Sequence, residues 1–360
     1  MTMIWSLRRL SNRYSFHVYL SDLSSINGQG LAKKFPDVEF RFLEQFVDDQ
    51  ILDNALFLND LEFNTSLKSV ALTDMLNRFD RKIFYCDSDL YFLAEPLAAI
   101  DELGCSGVLL TPHQVSVTSD ESDFQMSRTG VFNAGFFGVS GGVGRSVAAW
   151  LTNKSRFYCL LEPEEGIFVD QKWLDLIPAL FEDVKILRKS SYNIGYWNIK
   201  SRGFDDRAVF LHLSGFDLNS KLQPDEFLSK YSKIYLNAIL LEKLRPYLDA
   251  YRNIRTDILF LTVAVKSSSI ESNFERKMSV FMRRYSVKRQ ILRIKDGEIL
   301  LCNRLAYKPF KYTRLYRTES RILKLTRFLG EYMCSMGLAG ILDKAVALFR
   351  ILGRRNSWLR

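Results

Sequence analysis

The chain has 360 residues, with 50 Lys+Arg against 41 Asp+Glu and a formal charge of +9. That length corresponds to about two domains, and 47% hydrophobic with 25% charged residues excludes a wholly disordered or collagen-like chain. The longest uncharged apolar run, residues 258–265, ends at Lys266, far short of the roughly 20 residues of a spanning helix, so no transmembrane segment is expected. Arg8 and Arg9 fall where a secretion signal would place its apolar stretch. Cys86, Cys105, Cys159, Cys302 and Cys334 are odd in number and lack CxxC spacing, which predicts free thiols rather than a thiolate metal cluster.

Segments 16–20 (FHVYL) and 38–43 (VEFRFL) are rich in β-branched and aromatic residues and read as strands. Residues 65–77 open on a threonine or serine of capping type and carry Leu67, Val70, Ala71 and Met75 at near-helical spacing. A short strand, 82–86 (KIFYC), runs straight into the acidic turn Asp87-Ser88-Asp89. Segments 107–111, 132–139 and 209–213 read as further strands, and 144–151 and 169–176 as helices. This alternation predicts an α/β fold with a largely parallel sheet, whose ligands would bind at the carboxyl ends of the strands.

From about Pro224 the pattern changes to long helical stretches rich in arginine and aromatics, in which 258–265 and 298–301 could pair as strands. Charge divides with the pattern. Residues 221–360 hold 29 basic and 12 acidic residues, a balance of +17, against −8 for residues 1–220. Within the basic part, 338–355 is amphipathic, with Ile341, Leu342, Ala345, Leu348, Phe349 and Leu352 on one face. It reads either as a helix packed on its own domain or as one lying in a membrane interface. No zinc-finger or RNP pattern accompanies the basic charge, so nucleic acid is not the expected partner.

Asp87 and Asp89 follow a hydrophobic strand directly, and two carboxylates so close repel unless a cation lies between them. Hard oxygen ligands of this kind suit Mn²⁺ or Mg²⁺. His212, at the end of the strand 209–213, could complete such a site. Ser214-Gly215 follows it, and a glycine there lets backbone approach a phosphate. His113 is expected in a loop and His17 within a strand.

These segments, in order, resemble nucleotide-sugar-dependent glycosyltransferases of the GT-A fold, in the retaining style of glycosyltransferase family 8 and its bacterial relatives. The resemblance is carried by KIFYCDSDLYFL (82–93), FNAGFFGVS (132–140), FVDQKWLDLIP (168–178), SYNIGYWNI (191–199) and FLHLSGFD (210–217), and covers roughly residues 14–220. It implies a Rossmann-like mixed sheet flanked by helices over residues 1–220, followed by a basic, mainly helical region over 221–360. It also implies that Asp87, Asp89 and His212 hold Mn²⁺ against the diphosphate of a UDP-sugar. Asn133 and Ala134 would contact the donor sugar, Asp170 and Gln171 would lie near the anomeric carbon, and Lys68 would reach the donor.

Two departures accompany the resemblance. The opening strand of the family is missing ahead of the helix at residues 1–10, which implies an upstream start or a truncated enzyme. Phe216-Asp217 also stands after Gly215 where Lys-Pro-Trp is common. The expected activity is transfer of a sugar to an envelope glycan or lipid-linked acceptor on the cytoplasmic side, with the basic region docked on an anionic membrane face. The alternative is a non-catalytic scaffold built on a truncated transferase fold.

Overall fold

The computed structural model describes residues 1–21, 25–48, 51, 58–117, 119–216, 227–229, 232–235 and 238–261. The expected strands at 298–301 and the amphipathic segment 338–355 lie outside them. In chain order the elements are α1 (Thr2–Arg8), β1 (Phe16–Leu20), α2 (Ser25–Lys34), β2 (Val38–Phe42), α3 (Asp60–Arg78), β3 (Ile83–Cys86), β4 (Leu90–Phe92), α4 (Leu97–Glu102) and β5 (Gly107–Leu110). They continue with α5 (Asp120–Thr129), β6 (Phe136–Ser140), α6 (Gly141–Tyr158), β7 (Leu161–Glu162), β8 (Ile167–Phe168), α7 (Ile177–Leu180), β9 (Val184–Ile186), α8 (Ile199–Arg202) and β10 (Phe210–His212). A hairpin, β11 (Phe227–Ser229) and β12 (Ser232–Tyr235), precedes α9 (Ala238–Leu261).

The fold is α/β with mixed sheets. The main sheet has the order β3-β6-β5-β9, in which only the β5–β9 pair is parallel. The largely parallel sheet expected from the alternation is therefore corrected. The β5 and β6 strands pair antiparallel even though α5 lies between them, a choice that hydrophobic periodicity does not encode. Every residue of β5 and β6 is buried, because helices cover one face and a second layer the other.

Side chains alternate accordingly. Val108, Leu110, Phe137 and Val139 meet Leu72 and Leu76 of α3 and Val147 and Leu151 of α6. Leu109 and Phe136 turn to the opposite face, against Phe92, Leu103 and Phe210. The same alternation in β4 and β10 sends Tyr91 and Leu211 into a third cluster with Leu240, Leu244 and Tyr247 of α9. The first part of the expected strand 258–265 is the last turn of α9, and the remainder lies outside the described residues.

Local chemistry shifts several boundaries. Helix α3 starts at Asp60 because Asn59 caps it: the Asn59 side chain accepts from Glu62 N at 3.0 Å, while Glu62 Oε2 accepts from Asn59 N at 2.9 Å. Thr65, the cap expected from sequence, instead donates back to Leu61 O at 2.8 Å from within the helix. The strand expected over 132–139 begins only at Phe136, since Asn133 Oδ1 accepts from Gly135 N at 2.7 Å and closes a local turn. The helix expected over 169–176 is a 3₁₀ segment, Gln171–Leu176.

Strands β1 and β2 pair with each other in parallel, as a separate two-stranded sheet, and β3 is an edge strand of the main sheet. A cleft lined by β1, β2 and β3 runs from Tyr19 to the Asp87–Asp89 turn, His212 and Ser214. Among the described residues no helix is long and apolar enough to cross a membrane. Cys86, Cys105 and Cys159 are free thiols, as expected for the cysteines within the described part.

Candidate metal centre and its surroundings

The acidic turn joins β3 to β4. Asp87 N donates to Gly135 O at 2.8 Å, one step beyond the Cys86–Phe136 pair, so the ladder to β6 carries straight into the turn. Strand β10 pairs antiparallel with β4 in a register that sets His212 opposite Leu90. Leu213 N then donates to Asp89 O at 3.0 Å. These two ladders bring Asp87, Asp89 and His212 together across more than 120 residues of chain.

One ligand atom from each of the three lies within 4.8 Å of the other two. His212 Nε2 is 3.3 Å from Asp89 Oδ1 and 3.9 Å from Asp87 Oδ2. Asp89 Oδ1 is buried and has no hydrogen-bond partner. An orphaned carboxylate oxygen, a second carboxylate and an imidazole nitrogen together fit a divalent cation of the Mn²⁺ or Mg²⁺ type. Gly135 makes the approach possible: a Cβ there would sit 2.4 Å from His212 Cε1 and 2.8 Å from Asp87 Oδ2.

Lys68, from the middle of α3, reaches the far side of the turn. Its Nζ lies 3.1 Å from Asp87 Oδ1, 3.6 Å from Asp170 Oδ2 and 3.3 Å from Ala134 O. Burial pulls this ammonium down, but Asp170 and Asp87 together hold it well above its ordinary value. Tyr85 completes the group, donating to Asp87 Oδ1 at 2.8 Å while its ring lies 4.9 Å from Lys68 Nζ.

Asp170 is buried, and its Oδ1 has no hydrogen-bond partner. Burial pushes its carboxyl up to about 6 against the opposing pull of Lys68. The residue before it, Val169, stands at φ 42°. A β-branched residue in that region is a genuine outlier, and such strain clusters at functional sites. Gln171 follows, with Oε1 accepting from Ala134 N at 3.3 Å and Nε2 donating to Thr129 O at 2.9 Å. Its amide thus ties the Asn133-Ala134 turn to the end of α5. Gly215 supplies a positive φ of 68° to the turn after β10, where Phe216 N donates to Leu213 O.

His113 sits behind Asn133. Its Nδ1 is 3.3 Å from Val131 O and its Nε2 3.1 Å from Asn133 Nδ2, the pattern of a neutral ring. Burial pushes its pKa down to about 4. A depressed imidazole pKa means that the unfolded chain binds more protons. The contribution of His113 to stability is therefore complete above about pH 6.5 and falls away as pH drops toward 4. The melting temperature of the wild-type chain should fall more steeply over that interval than that of His113→Gln. Parallel profiles would refute a neutral, half-buried His113.

Of the residues expected from sequence, the fold brings Lys68, Asp87, Asp89 and His212 to one end of the cleft, and links Ala134 and Asp170 to them through Lys68, and Gln171 to Ala134. Sequence reasoning assigned no role to Tyr85, Gly135, Val169 or Asn193. Tyr85 and Gly135 lie inside motifs that were legible, but their contacts exist only once β3 and β6 pair.

No family model matches the chain. It is similar to two proteins of Bacillus subtilis (strain 168). It is 28% identical over 192 residues to "Uncharacterized protein YfnF", covering 47% of this chain and 63% of that protein. It is 25% identical over 235 residues to "Uncharacterized protein YfnD", covering 61% of this chain and 74% of that protein. The chain thus spans less than two thirds of the length of the first of these relatives.

Proposed function

We propose that the chain is a metal-dependent glycosyltransferase of the GT-A type, similar to family 8. It would move a sugar, with retention, from a UDP-sugar to a glycan or lipid-linked acceptor. The convergence of Asp87, Asp89 and His212 carries this reading, because two acidic ligands and one imidazole at a sheet edge match the demands of a cation that must also hold a diphosphate. The bound Mn²⁺ or Mg²⁺ would act as a Lewis acid on the leaving diphosphate.

The chain's own groups supply the rest. Lys68 adds positive charge beside the ligand Asp87, where negative charge grows on the leaving group. Asp170 presents a buried carboxylate oxygen without a partner, suited to an anomeric carbon that becomes cationic. Asn133 and Ala134 form the wall joined to Asp170 through Gln171 and Lys68. In the transfer the bond from anomeric carbon to diphosphate oxygen breaks, the diphosphate leaves with the electron pair, and the acceptor hydroxyl gives its proton to the departing diphosphate oxygen as the new bond forms. A covalent intermediate on a side chain and a front-face route both fit this arrangement. The +17 balance of residues 221–360 would favour an anionic membrane face, placing the chain peripherally on the inner side.

Calorimetry with UDP, in the presence of Mn²⁺ and of EDTA, tests the reading on the 360-residue chain and on Asp89→Asn. The expected result is Mn²⁺-dependent UDP binding that the variant loses. UDP binding indifferent to EDTA and to the substitution would refute it. No binding under any condition would instead favour a non-catalytic scaffold.

A further inference from the structure

The stretch 192–198 is built around His212, and no part of the reading above uses it. We infer that Asn193 is a positioning residue of the metal site, whose side-chain carbonyl holds His212 in the tautomer that offers Nε2 to a divalent cation. This rests on the metal reading of Asp87, Asp89 and His212.

His212 Nδ1 lies 3.1 Å from Asn193 Oδ1. A carbonyl oxygen only accepts, so Nδ1 carries the proton and Nε2 keeps its lone pair. That lone pair faces Asp89 Oδ1 and Asp87 Oδ2 at 3.3 and 3.9 Å. Three acceptors then converge on one point, an arrangement that repels itself until a cation enters. With the opposite tautomer, Nε2–H would satisfy a carboxylate and close the site.

The surroundings hold this geometry. Asn193 is fully buried at φ 54°, a conformation that asparagine tolerates better than most residues. Asn198 fixes its backbone, donating through Nδ2 to Asn193 O at 2.9 Å and to His113 O at 2.8 Å. Asn198 Oδ1 accepts from Gly195 N at 3.0 Å. Trp197 packs edge-on against the His212 ring with centroids 5.1 Å apart. Gly195 leaves room for that indole, since a Cβ there would fall 2.5 Å from Trp197 Cη2. The other end of the Asn193 amide, Nδ2, has no hydrogen-bond partner among the described residues. The contact that the amide does make is the one from its carbonyl end to His212. Outer partners of this kind fix the ring and raise its basicity toward the metal.

The test uses Mn²⁺ alone as ligand, by calorimetry and by electron paramagnetic resonance of free Mn²⁺, on the full chain, Asn193→Gly and Asn193→Asp. Glycine and aspartate both tolerate the positive φ. Asn193→Gly should bind Mn²⁺ about 10–100-fold more weakly, and Asn193→Asp, which restores an acceptor, should bind within about threefold of wild type or tighter. Equal Mn²⁺ affinity in wild type and Asn193→Gly overturns the inference while leaving the metal site standing. A wild-type chain that takes up no Mn²⁺ overturns both. Should Asn193→Gly fail to fold, ring ¹⁵N spectra of the metal-free wild type decide, because the chain has only three histidines. His212 protonated on Nδ1 supports the inference, and His212 protonated on Nε2 overturns it.

Discussion

Asp170→Asn is expected to slow sugar transfer by about 10³-fold while leaving Mn²⁺-dependent UDP binding within a few fold of wild type. The magnitude is that of losing one group that stabilises charge developing in the transition state. The substitution keeps the size and shape of a buried side chain and removes only its charge. Asp170 stands 3.6 Å from Lys68 and is not among the three residues that converge as metal ligands, so the donor should still bind. Strain at Val169, φ 42°, is consistent with a carboxylate whose placement matters more than local backbone comfort. Rates and UDP affinities of the two proteins check this together. A transfer rate within tenfold of wild type would remove Asp170 from the chemistry, and a matching loss of UDP binding would reassign it to donor binding.

Lys68→Met should destabilise the metal-free chain by about 3–5 kcal/mol, the range for removing one partner of a buried ion pair. Two carboxylates, Asp170 and the partly exposed Asp87, face this one ammonium, and Ala134 O loses its donor as well. Methionine matches the length of the aliphatic stem, so little of the loss should come from packing. In a unit of this size about 1 kcal/mol moves the melting temperature by roughly 2–4 °C, so a fall on the order of 10 °C is expected. Mn²⁺ should raise the melting temperature of the variant more than that of wild type, because a cation beside Asp87 replaces part of the missing charge. A metal-free melting temperature within about 2 °C of wild type would show that Lys68 does not compensate the two carboxylates.

Much of this protein was legible in its sequence because some signals are local. Strands β1 and β2 follow from runs of aromatic and β-branched residues, and the acidic turn follows from a hydrophobic strand that stops at Asp87. Lys68 sits on a helix whose apolar spacing is visible over 65–77, and His212 ends a strand that its own residues define. These features depend on side-chain period and turn chemistry, which each short segment carries by itself.

Tertiary structure decided what required a distant partner. Whether β3, β5 and β6 run parallel or antiparallel is set by pairing, and it made the main sheet mixed. Asn133 delayed the start of the expected strand because its side chain found Gly135 N, and Asn59 displaced Thr65 as cap because Glu62 could answer it. The ion pairs of Lys68 join α3 to the turn after β3 and to the residue after Val169, segments separated by up to 102 residues. The tautomer of His212 depends on Asn193, which sequence alone presents as one polar residue within 191–199. Charges and acceptors of this kind acquire their meaning from what surrounds them after folding, when water has been excluded and each buried group must find its partner in the chain or in a ligand.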